Sequence, residues 1–170
     1  DTAAAGNNAT TGAGLGGAGS WDTAALQWWN PIIPGVDVAW NNLSMDTAVF
    51  AGTAGAVTLG EAISVGGLTF NTTGYTLTGN TLTLGAALGA TSPVISIHQT
   101  GSGANRATIA SNLAGTSGFT KNGNGTIVLA GASNSYTGDT VINVGSVVIS
   151  DAGQLGLGTT AISINGVANN

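Results

Sequence analysis

The sequence predicts an all-β protein, a stack of short strands wound as a parallel β-helix, and three observations lead there. Apolar residues alternate with others in short runs from Thr47 to Ile164. Glycine, asparagine, serine and aspartate separate those runs and supply the positive backbone angles and local hydrogen bonds that corners need. Charged residues make up only 5% of the chain, so hydroxyl and amide groups must furnish the polar exterior.

Taken in order, residues 1–20 form a leader of Gly, Ala, Thr and Asn in which Leu15 is the only large apolar side chain, and they read as flexible. Residues 21–46 hold all 4 tryptophans, Trp21, Trp28, Trp29 and Trp40, with Pro31 and Pro34 interrupting regular structure. Such a segment suits a cap over the apolar end of a stacked domain. The competing reading is a glycan platform in which indole faces stack on sugar rings. Residues 47–170 form the β-helix itself. Its strand candidates are Ala48 to Phe50, Ala56 to Leu59, Ile63 to Val65, Leu68 to Phe70, Tyr75 to Thr78 and Thr81 to Leu84. Further along come Val94 to His98, Ala107 to Ala110, Thr126 to Leu129, Thr140 to Val144, Ser146 to Ile149 and Ala161 to Ile164. Leu113 to Gly118 and Asp151 to Gly158 read as the longest interruptions. A sandwich or barrel would need hairpins, for which Asn122-Gly123 and Asn165-Gly166 are the candidates. Strands parted by a single glycine, as in Asn143-Val144-Gly145-Ser146-Val147, suit a bend within a coil better than a reversal. At about 20 residues and about 4.8 Å per coil, Thr47 to Ile164 amounts to roughly six coils and 30 Å of rod.

Composition narrows function. Net charge is −5 and the only bases are Arg106 and Lys121, which leaves no cationic stripe for nucleic acid or an anionic membrane surface. Without cysteine there is neither a disulfide framework nor a thiolate metal site. No apolar run approaches the roughly 20 residues of a spanning helix. The start lacks the basic-then-apolar pattern of a signal peptide, which implies that one was removed or stands outside these residues. The end, Asn169-Asn170, shows no evident cap, and its last coil is expected to offer backbone groups for pairing with another chain.

Residues 118–150 carry a more specific pattern. Gly123-Asn-Gly125-Thr126-Ile127-Val128-Leu129-Ala-Gly131 is followed by Asn134-Ser-Tyr136-Thr137-Gly138, then Thr140 to Val144, Gly145, and Val147 to Ile149. This resembles the autotransporter-associated β-strand repeat, or passenger-associated transport repeat, of secreted bacterial surface proteins. A looser likeness covers Trp21 to Leu84. The resemblance implies a single-stranded right-handed parallel β-helix (β-solenoid), export to the cell surface or extracellular space, and a stalk, adhesin or matrix role. The membrane barrel of that export route would be supplied by sequence other than this. One departure matters. If Ile127, Leu129, Ile142, Val147 and Ile149 point inward, alternation turns Val128, Val141 and Val148 outward, where the family usually has polar residues. These three valines are read as a self-association wall.

Catalytic chemistry finds little support. His98 is the only imidazole, with no Ser-His-acid arrangement around it. Asp22, Asp37 and Asp46 could pair as glycosidase carboxylates but read better as loop and capping residues, and Asp139 and Asp151 as corners. Gly12-Ala-Gly14-Leu-Gly16-Gly17 lacks the strand and Lys-Ser/Thr pair of a phosphate loop. The glycine-aspartate repeat of calcium-binding β-rolls is missing too. Asn8, Asn42, Asn71 and Asn124 open glycosylation sequons of the kind that chance produces in such a composition. No cofactor is expected. The first expectation is a non-catalytic structural protein that self-associates, end to end or laterally, into a fibre, stalk or layer. The alternative is a glycan-binding adhesin passenger using Trp21, Trp28, Trp29 or Trp40, with a polysaccharide-degrading β-helix behind both.

Overall fold

A computed structural model describes residues 14–30, 36–98, 105–157 and 161–165. Asn8, Pro31, Pro34, the start of the Gly12 to Gly17 run, Gly166 and the Asn169-Asn170 end lie outside them. In chain order the strands are β1 (Gly19–Trp21), β2 (Trp28–Trp29), β3 (Asp37–Val38), β4 (Thr47–Phe50), β5 (Ala56–Leu59) and β6 (Ile63–Val65). Next are β7 (Gly67–Phe70), β8 (Thr76–Gly79), β9 (Leu82–Leu84), β10 (Val94–Ile97), β11 (Arg106–Ile109) and β12 (Leu113–Ala114). The last are β13 (Phe119–Asn122), β14 (Thr126–Leu129), β15 (Thr140–Ile142), β16 (Ser146–Val148) and β17 (Ile162–Ile164).

These strands form three parallel sheets, two of six strands and one of three. Their orders are β1-β5-β8-β11-β14-β16, β4-β7-β10-β13-β15-β17 and β6-β9-β12. Apart from β2 and β3, successive strands of the chain fall in different sheets; the two six-stranded sheets gain one strand per coil, and the third gains one only in the coils of β6, β9 and β12. That is the parallel β-solenoid expected from the sequence. Among the described residues only β2 and β3 pair antiparallel, in the Trp-rich segment. Asn122-Gly123 is thus a corner between β13 and β14 rather than a hairpin turn, because those two strands belong to different sheets.

Alternation decides the inside. In the first sheet Val57, Leu77, Ile109 and Leu129 stack in register and are all buried. The outward column beside it reads Ala56, Thr76, Thr108, Val128 and Val148. In the second sheet the corresponding column is Ala48, Leu68, Ile95, Lys121, Ile142 and Ile164, buried as far as Lys121, half-buried at Ile142 and open to solvent at Ile164. Ile63, Leu82 and Leu113 line the third. Burying each of the fully enclosed valine, leucine and isoleucine side chains stabilises the stack by about 1.5–3 kcal/mol.

Several elements lie outside the runs that alternation marks. β1 crosses the boundary at residue 20 between the leader and the Trp-rich segment, and it pairs with β5 through Gly19 and Val57. Leu113 to Gly118 is not wholly an interruption, since β12 stacks on β9. The Asp151 to Gly158 gap contains a 3-10 turn over Ala152–Leu155, whose first residues are capped by the Asp151 carboxylate accepting from Gly153 N at 2.7 Å. Strand β13 was overlooked because its inward residues are Phe119 and Lys121, and lysine ordinarily marks an outer face.

Side chains also tie coil to coil. The Nδ2 of Asn143 donates to Oδ1 of Asn122 at 3.1 Å, and that of Asn165 to Oδ1 of Asn143 at 2.9 Å, making an amide column along the second sheet. Asn134 is buried, accepting from Leu113 N at 2.8 Å and donating to Gln154 O at 2.6 Å. It therefore joins three successive coils. Tyr136 fills the interior against Phe119 and shares a hydrogen bond of 2.9 Å with the buried Thr140 hydroxyl. Gly138 leaves no room for a side chain, because a Cβ there would overlap the Gly118 amide nitrogen. The Asn, Tyr and Gly of the resemblance thus each meet a packing demand of the coil.

Candidate functional site

The site grows out of the Trp-rich segment. β1 extends the first sheet by one strand, which points Trp21 inward over Leu59. The antiparallel pairing of Trp28 with Val38 and Trp29 with Asp37 makes a hairpin over the same end of the stack. Trp28 turns in toward Trp21, their ring centroids 4.9 Å apart, while Trp40 meets Trp21 edge-on at 5.0 Å and Trp28 at 4.9 Å. Phe50 continues the cluster to Phe70, stacked at 4.8 Å, and to Tyr75. Aromatic packing therefore runs from the hairpin into the solenoid interior.

Exposure separates the four indoles. Trp21, Trp28 and Trp40 are 1%, 9% and 7% exposed, and Trp29 alone is half-buried. There is no row of exposed indole faces among them. Trp40 is further fixed by its Nε1, which donates to Ser64 O at 3.0 Å. Next to it Asn42 accepts from Ser64 N at 2.8 Å and donates to Ala62 O at 3.1 Å. That amide is occupied in holding the segment against β6.

Beside the hairpin lies a cleft of about 670 Å³, lined among others by Trp28, Trp29, Trp40, Asn41, Asp46 and Asn71. This volume falls within the range of small-molecule sites, about 300–1,000 Å³. Its lining combines apolar side chains, Trp28, Trp29, Trp40, Val38 and Ala51 among them, with the polar Asn41, Ser44, Asp46 and Asn71. The rim turn is prebuilt. Asn41 Oδ1 accepts from Leu43 N at 3.0 Å, and the single Ser44 hydroxyl proton is shared between Asp46 Oδ2 at 2.6 Å and Asn41 O at 2.9 Å. Met45 adopts φ 51°, a left-handed conformation that few non-glycine residues take. Sequence reading had no signal for this cleft, since Asn41, Asp46 and Asn71 look like corner residues until the hairpin is placed opposite them.

The acids do not gather. Among the described residues no three of His, Cys, Asp and Glu come together. Asp22 Oδ1 accepts from Ala25 N at 2.7 Å and Ala24 N at 2.9 Å, and these backbone donors hold its carboxyl below the usual range. Glu61 is held low in the same way by the hydroxyl and amide of Thr23, both at 2.6 Å. Asp37 sits in β3, and His98 is an exposed residue just after β10.

The bases are equally committed. Arg106 lies at the start of β11 on the outside. Lys121 is 0% exposed, and its Nζ donates to Asn122 O at 2.6 Å, Gly123 O at 2.7 Å and Val144 O at 3.2 Å. Burial pushes its ammonium down to about 8.

The three outward valines are not brought together. Val128 and Val148 are direct neighbours in the first sheet, Val128 half-buried and Val148 45% exposed. Val141 is half-buried and lies in the second sheet between Thr120 and Ser163. Among the described residues no helix is long and apolar enough to cross a membrane.

Residues 119–149 match the family described as passenger-associated-transport-repeat. The chain is 46% identical over 164 residues to the adhesin BmaC autotransporter of Brucella suis biovar 1 (strain 1330). The matched part is 94% of this chain and 4% of that protein, so the chain corresponds to a small segment of its relative. No solved structure matches. The chain thus carries a passenger-associated-transport-repeat within a parallel β-solenoid and is a homologue of part of an autotransporter adhesin, a secreted protein of the cell surface.

Proposed function

We propose that the chain is a non-catalytic adhesive segment of a passenger, a stiff rod that holds contact surfaces away from the cell. The observation that carries this reading is the relation to an adhesin across nearly the whole solenoid rather than across the repeat alone. The fate of the two bases supports it against polysaccharide cleavage. Lys121 is spent on backbone carbonyls and Arg106 faces outward without a carboxylate cluster beside it. Residues 1–20, 21–46 and 47–170 divide into leader, cap and rod in this scheme, and the cap ends the core by covering it with indoles.

Adhesion is tested with beads coated with the chain, counted on cultured epithelial cells and on matrix-coated wells. Retention at least tenfold above albumin-coated beads is expected. Retention equal to albumin on every surface overturns the reading.

Lateral self-association is a second reading, favoured by one observation. Val128 and Val148 turn a column of threonines apolar at its C-terminal end, and Val148 is exposed there. Val148→Lys is expected to raise the dissociation constant of any self-complex at least fivefold in sedimentation experiments, with the circular dichroism of the rod unchanged. Sedimentation indifferent to the substitution removes this face from the interface. Val141, on another sheet, contributes nothing to this contact.

A further inference from the structure

We propose that the cleft between the Trp hairpin and β4 is a binding site for a neutral oligosaccharide. The inference rests on the adhesive reading and names its ligand class.

Three features of the cleft select that chemistry. Three indoles line it, Trp28, Trp29 and Trp40, and Trp29 is the one left half-buried. A flat, stiff, amphipathic ring suits the C–H face of a pyranose and loses little conformational freedom on binding. Next, the rim carries polar groups with capacity to spare. Asp46 engages Ser44 through Oδ2, and Asn41 engages Leu43 through Oδ1, which among the described residues leaves one carboxylate oxygen and one amide NH₂ for a ligand. The exposed Asn71 side chain is committed to no partner among the described residues and adds a donor and an acceptor on the β4 side. Vicinal hydroxyls, which both donate and accept, match such a set.

Charge then decides between neutral and acidic sugars. Among the described residues no cation lines the cleft, and the one charged group there is the Asp46 carboxylate. The chain's two bases are accounted for elsewhere, Lys121 inside the stack and Arg106 on β11. A sialic or uronic carboxylate would face Asp46 without a partner, which disfavours it. The hydrogen bonds within Asn41 to Asp46 keep the rim in place before any ligand arrives, so little ordering remains to be done on binding.

Calorimetric titration of the chain with lactose, mannotriose and chitotriose, against 3′-sialyllactose and digalacturonate, tests the proposal. At least one neutral sugar is expected to bind saturably, and both anionic sugars at least tenfold more weakly. Trp29→Ala and Asn71→Ala are each expected to weaken the neutral ligand tenfold or more. Asn71 is exposed, so its variant reports on binding even where loss of Trp29 disturbs the hairpin. Absence of neutral binding, tighter binding of an acidic sugar, or affinity unchanged in Asn71→Ala overturns the proposal. Bead adhesion that persists in a chain showing any of these results sinks the cleft alone. Beads that never adhere sink the adhesive reading, whatever the sugars do.

Discussion

Trp21→Ala is expected to destabilise the chain by about 3–5 kcal/mol, measured by urea unfolding followed by circular dichroism. Trp21 is 1% exposed and packs within 5.7 Å, centroid to centroid, of Trp28, Trp40 and Phe50. Truncation would open a cavity that the rigid first strand cannot close, since Gly19 to Trp21 is held in register against Val57 to Leu59. Trp21→Phe gives an internal control. The Trp21 indole N–H is buried with no partner among the described residues, so phenylalanine removes an unsatisfied donor while keeping most of the apolar area. Its expected loss is about 1 kcal/mol. A Trp21→Ala variant as stable as Trp21→Phe would mean that the indole cluster does not close the core.

Lys121 governs the second large effect, a rise in stability with pH. Its folded ammonium is pushed by burial to about 8 from 10.5, although three backbone carbonyls oppose that push. Between pH 8 and 10 the unfolded lysine keeps a proton that the folded one has lost. The unfolded state then binds more protons, and stability climbs by an amount on the order of 2 kcal/mol across that window. Below about pH 8 both forms are charged and the contribution is flat. Above pH 10 the direction reverses, because burial holds the Tyr75 and Tyr136 hydroxyls above their ordinary 10.0 and the unfolded chain ionises first. Lys121→Met is expected to abolish the climb and to lower stability near pH 7 by about 1–3 kcal/mol, since the carbonyls lose their donor. Stability curves measured by urea unfolding from pH 7 to 10 decide it. A climb that survives in Lys121→Met assigns it to another group.

That lysine also shows where sequence reading succeeds and where it stops. Thr126-Ile-Val-Leu129 was legible because its apolar residues alternate and its neighbours are glycine, and the structure places Ile127 and Leu129 inside as alternation requires. Phe119-Thr-Lys-Asn122 was not, because period-two logic assigns lysine to solvent, whereas its Nζ finds a ring of carbonyls at the corner before Gly145. Short strands at the cap failed for a different reason. Trp28-Trp29 and Asp37-Val38 are two residues each, too brief for any periodicity, and they exist only through their pairing. The valines mark a third boundary: alternation gives the side of the sheet but not which sheet, so nothing in the sequence parts Val141 from Val128 and Val148 although it lies on another wall. The cleft was illegible for a related reason, since its two walls, the hairpin and β4, meet only in three dimensions.

The amide column has a consequence for how such a rod tolerates change. From Asn122 to Asn143 the chain travels 21 residues and from Asn143 to Asn165 it travels 22, yet each amide returns to the one before it. Elsewhere Thr58 meets Thr78 after 20. The column works as an index mark that ignores path length and checks only arrival. Insertions at the corners then leave the stack in phase, while a single residue added inside a strand throws every following side chain to the wrong face. A long passenger built on this rule can vary its loops freely while its core stays in step.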